Sequence, residues 1–83
     1  PAIIYPPDGA RVDLGQRKGA PDPPLIMKLD GGRPPFHWFA DGRSLGNAQH
    51  RRTASWEPEG PGFSTLSVVD AAGEATSVTI FLE

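Results

Sequence analysis

The chain has 83 residues, of which 10 are glycine, 10 are proline and none is cysteine, and its formal net charge is −2. One small domain is the most this length holds. The Gly and Pro load excludes long helices, and the lack of cysteine excludes a disulfide framework, a zinc knuckle and a thiol nucleophile.

Taken in chain order, Ala2-Ile3-Ile4-Tyr5 is a short β-prone run that Pro6-Pro7-Asp8-Gly9 ends. Val12 and Leu14 alternate with Arg11 and Asp13, the pattern of a second, short edge piece. Gly15 to Pro24 contains no large apolar side chain and reads as a loop. Leu25 to Leu29 predicts a strand with Leu25, Met27 and Leu29 on one face, turned by Asp30-Gly31-Gly32. Pro35 to Ala40 predicts the next, with Phe36, Trp38 and Ala40 on one face and His37 and Phe39 on the other, closed by Asp41-Gly42. Arg43 to Gly46 is a short continuation or a hairpin arm. Arg51 to Glu57 is strand-like and presents Trp56; Pro58 ends it, and Gly60-Pro61-Gly62 is a tight turn. Phe63 to Asp70 and Ala75 to Glu83 are the clearest strands, joined by the hairpin signal Asp70-Ala71-Ala72-Gly73.

About seven short strands at this spacing predict an all-β fold, an immunoglobulin-like antiparallel β-sandwich formed by residues 1–83 as a single domain. Trp38, Leu66, Val68, Val78 and Ile80 are its expected core, with Trp56 capping one end. The chain starts at Pro1 instead of Met, which reads as a piece of a longer polypeptide.

The residues that could carry chemistry have structural explanations. His37 and His50 stand near no strand–turn–helix elbow, and there is no Ser-x-x-Lys sequence. Asp8, Asp30, Asp41 and Asp70 lie in or beside glycine turns, where carboxylates accept backbone N–H bonds. No Asp-x-Asp-x-Asp-Gly run offers a calcium loop. No catalytic residue, cofactor or metal site is therefore expected. The short Arg51-Arg52 pair on a slightly acidic chain argues against nucleic acid. No apolar run reaches the roughly 18 residues of a spanning helix, so direct membrane insertion is not expected.

One surface stands out. The strands bearing Trp38, Leu66 and Ile80 are expected in one sheet, with His37, Phe39, Thr65 and Phe81 facing outward. Phe39, Thr65 and Phe81 would gather toward one end of that face as a contact surface. The competing reading is that Phe39 or Phe81 folds under a loop or is an isolated exposed apolar residue.

The ordered set Ile3…Pro6…Asp8-Gly9, Leu25 to Leu29, Trp38-Phe39-Ala40-Asp41-Gly42, Leu45-Gly46, Trp56-Glu57-Pro58, Gly60-Pro61-Gly62 and Leu66-Ser67-Val68-Val69-Asp70…Gly73 resembles the C-terminal domain of bifunctional penicillin-binding proteins of the 1C type. The resemblance spans nearly the whole chain. It implies a non-catalytic appendage of a peptidoglycan glycosyltransferase/transpeptidase, periplasmic and held by an inner-membrane anchor elsewhere in the parent protein. The Ser-x-x-Lys, Ser-x-Asn and Lys-Thr-Gly motifs of the parents are absent. Expected partners are the parent enzyme's own domains, a cell-wall protein or peptidoglycan. The alternative is a carbohydrate-binding module acting by aromatic stacking.

Overall fold

The computed structural model describes residues 1–13 and 24–83. Among them there is no helix, and eight strands form two sheets. The strands are β1 (Ala2–Tyr5), β2 (Arg11–Val12), β3 (Leu25–Asp30), β4 (His37–Ala40), β5 (Arg43–Ser44), β6 (Thr53–Trp56), β7 (Gly62–Val69) and β8 (Ala75–Leu82). One sheet has the order β1-β3-β6 and the other β2-β8-β7-β4-β5. The arrangement is sandwich-like and compatible with an immunoglobulin-like fold.

The count exceeds the expected seven because the stretch after Asp41-Gly42 forms a strand of its own. Asp41 (φ 51°) and Gly42 (φ 82°) both adopt left-handed backbone, the requirement of a two-residue type I′ hairpin. That turn folds Arg43–Ser44 back against Phe39–Ala40. Leu14 and the expected loop from Gly15 onward, apart from Pro24, lie outside the described residues.

Period-two alternation sets the interior. Leu25, Met27 and Leu29 of β3 and Ala54 of β6 face Phe36, Trp38, Ala40, Leu66, Val68, Val78, Ile80 and Leu82 from the other sheet and its approach. Trp38 is 3% exposed and stands opposite Val68 in the β4–β7 ladder. Its indole Nε1 has no hydrogen-bond partner among the described residues. Trp56, expected to cap the core, packs against it and remains half-buried.

The pairing is antiparallel as expected except at one edge, where β2 runs parallel to β8. Local anchoring at the preceding turn explains it. Thr79 N donates to Asp8 Oδ1 (2.8 Å), and Gly9 N donates to Thr79 O (2.8 Å). The chain is thereby seated beside the middle of β8 and continues alongside it, with Phe81 N and Glu83 N donating to Ala10 O and Val12 O.

Candidate functional site

The outer face of the five-stranded sheet follows from the same alternation. His37 and Phe39 of β4, Thr65 of β7 and Phe81 of β8 all point away from the core; His37 and Thr65 are exposed, and Phe39 and Phe81 half-buried. The register does not gather them. Phe39 lies opposite Ser67, whereas Phe81 lies opposite Phe63. Four residues of β7 separate those positions, about 13 Å along the strand.

The aromatic pair on this face is therefore Phe63–Phe81, not Phe39–Phe81. The rings meet edge to face with centroids 4.9 Å apart. Phe63 is 77% exposed, the most exposed large apolar side chain among the described residues. The Arg11 guanidinium lies 5.9 Å from the Phe81 ring centroid and 3.4 Å from Glu83 Oε1. Thr65 and Thr79 extend the face with a hydroxyl–hydroxyl contact of 3.3 Å. The four-residue turn Asp70 to Gly73 expected from the sequence would set Val69 opposite Glu74 and Phe63 opposite Ile80; the observed turn includes Glu74, which sets Val69 opposite Ala75 and Phe63 opposite Phe81.

Beside Phe63 the surface dips into an open cleft of about 680 Å³, which periodicity does not reveal. One wall is the β4–β5 hairpin, with Ala40, Asp41, Arg43, Ser44 and Leu45; Trp56, Glu59, Gly60, Pro61, Phe63 and Ser64 form the other. Three polar side chains of the lining are committed to the fold. Asp41 accepts from Thr65 N (2.9 Å) and Ser64 Oγ (3.1 Å), and the Ser44 hydroxyl donates to Gly46 O (3.1 Å). Arg43 and Glu59 project from opposite walls, 84% and 91% exposed, with their charged atoms 3.9 Å apart. An exposed pair at that distance contributes little to stability.

The other carboxylate with several partners is structural. Asp70 is 7% exposed; its Oδ1 accepts from Ala72 N and Glu74 N, and its Oδ2 from Arg33 N. Burial works to raise its pKa, but the Arg33, Glu74 and Ala72 N–H groups outweigh that and hold the carboxyl below its ordinary value. No group of three or more His, Asp or Glu side chains able to hold a metal occurs among the described residues, nor does a helix long and apolar enough to cross a membrane.

No curated protein and no solved structure matches the chain. A family model does: the penicillin-binding protein C-terminus family, a C-terminal domain family and not a catalytic one, matches residues 1–80. With nearly the whole chain matched, it belongs to the penicillin-binding protein C-terminus family, hence to a cell-envelope protein.

Proposed function

We propose that the chain is a non-catalytic accessory domain of a periplasmic bifunctional peptidoglycan synthase, and that it docks on the catalytic region of that enzyme through the outer face of its five-stranded sheet. The observation that carries this reading is the Phe63–Phe81 pair, aromatic surface left in water beside Arg11. Aromatic rings and arginine are the side chains that most often anchor protein interfaces. Thr65 and Thr79 follow the pair along the ladder and place hydroxyls on that side of it. Family membership supports the accessory role, and the missing Ser-x-x-Lys, Ser-x-Asn and Lys-Thr-Gly sequences support a domain without its own transpeptidase chemistry.

The test is an NMR titration of the ¹⁵N-labelled chain with the catalytic region of the synthase. Shifts should centre on Phe63, Phe81 and Thr79, and Phe81→Ala should weaken the complex by about tenfold or more. A saturable complex whose shifts avoid this face, or no complex at all, would refute the docking.

A further inference from the structure

The cleft between the β4–β5 hairpin and the chain from Trp56 to Ser64 is a separate feature, sharing only Phe63 with the docking face. We infer that it is a binding site for a neutral saccharide chain, with Trp56 and Phe63 as stacking surfaces and Arg43 and Glu59 as the hydrogen-bonding arms.

The lining selects this ligand class by its chemistry. A sugar ring presents an apolar C–H face and a rim of hydroxyl or acetamido groups. It is held where aromatic surface lies next to donors and acceptors not already spent on the fold. Trp56 and Phe63 supply the first, one half-buried and one widely exposed. Asp41 and Ser44 are engaged within the protein, so among the charged lining side chains Arg43 and Glu59 are left to supply the second. Their mutual contact is long and exposed, so a ligand displaces it at little cost.

Other ligand classes fit less well. Among the described residues Arg43 is the one cation of a lining that also carries Asp41 and Glu59, a balance that disfavours phosphate, acidic peptides and anionic headgroups. An extended peptide would need a strand edge to pair with, and β5, the edge strand of this wall, is two residues long. The cleft is also open and rimmed by charge, unlike a seat for an acyl chain.

The probe is chitotetraose, titrated into the 83-residue chain and followed by tryptophan fluorescence and amide shifts. Trp38 is sealed in the core, so Trp56 reports on the cleft. A saturable change in emission is expected, lost in Trp56→Phe, with amide shifts at Arg43, Glu59 and Gly60. Arg43→Ala alters only an exposed side chain and should weaken binding about fivefold or more. No saturation at millimolar sugar would overturn the inference. So would shifts confined to the Phe81 face, or cleft shifts produced by an acidic stem peptide and not by the sugar. Failure here together with a successful titration by the catalytic region would remove the saccharide site and leave the docking role standing.

Discussion

β7 passes an aspartate-anchored turn near each of its ends, and the two turns behave differently. Past its last residue, Asp70 is buried and holds three backbone N–H groups, one of them from Arg33 in the β3–β4 connection. Around it the surface closes: Arg52 lies 5.5 Å from the Phe36 ring centroid and donates to Gly32 O at 3.2 Å. Near the first residues of β7, Asp41 uses its carboxylate to tie the β4–β5 hairpin to Ser64 and Thr65, and the structure beyond it stays open. Polar groups at the closed end are consumed by the fold. At the open end Arg43 and Glu59 are barely committed. The same turn residue thus seals one end and joins the two walls of an open cleft at the other.

The largest expected effect is at the closed end. Gly32 has φ +78°, and a Cβ there would lie 2.9 Å from Pro1 Cβ, 3.1 Å from Phe36 Cε1 and 3.2 Å from Asp70 Oδ2. Gly32→Ala should lose roughly 2–3 kcal/mol in urea unfolding. Asp41→Ala removes two side-chain hydrogen bonds from a solvated turn and should lose about 1 kcal/mol. Equal losses from the two variants would abolish the distinction between a sealed and an open end.

The pH dependence sharpens the contrast further. With Asp70 held below its ordinary pKa in the folded chain, its contribution is complete above the unfolded-state value. As pH falls, the unfolded chain takes up that proton first, and the contribution drains away until the folded-state pKa is passed. Unfolding measured across the acid range should therefore show a loss of stability in the wild type that Asp70→Asn lacks. Parallel curves for the two proteins would remove Asp70 as its source.

Much of the fold could be read from the chain because period two is a local property. The alternation in Leu25–Leu29, Phe36–Ala40 and Val78–Leu82 assigns inward faces without any knowledge of partners. The Asp41-Gly42 and Asp70…Gly73 turns are likewise local. What escaped reading depends on pairing between distant segments. Phe39 and Phe81 share a face, but only the ladder register shows that Phe63, not Phe39, meets Phe81. The third partner of Asp70 lies 37 residues away in sequence. The cleft is a relation between a hairpin and a loop, and neither Arg43 nor Glu59 carries a sequence signal beyond being charged. β2 is too short for its pattern to announce a parallel neighbour.

The five-stranded sheet ends on each side in a two-residue strand, β2 and β5. Such stubs show few unpaired amides and carbonyls to a neighbour, which leaves little template for edge-to-edge growth. The sheet can therefore expose aromatic rings on its broad side without its borders seeding a polymer.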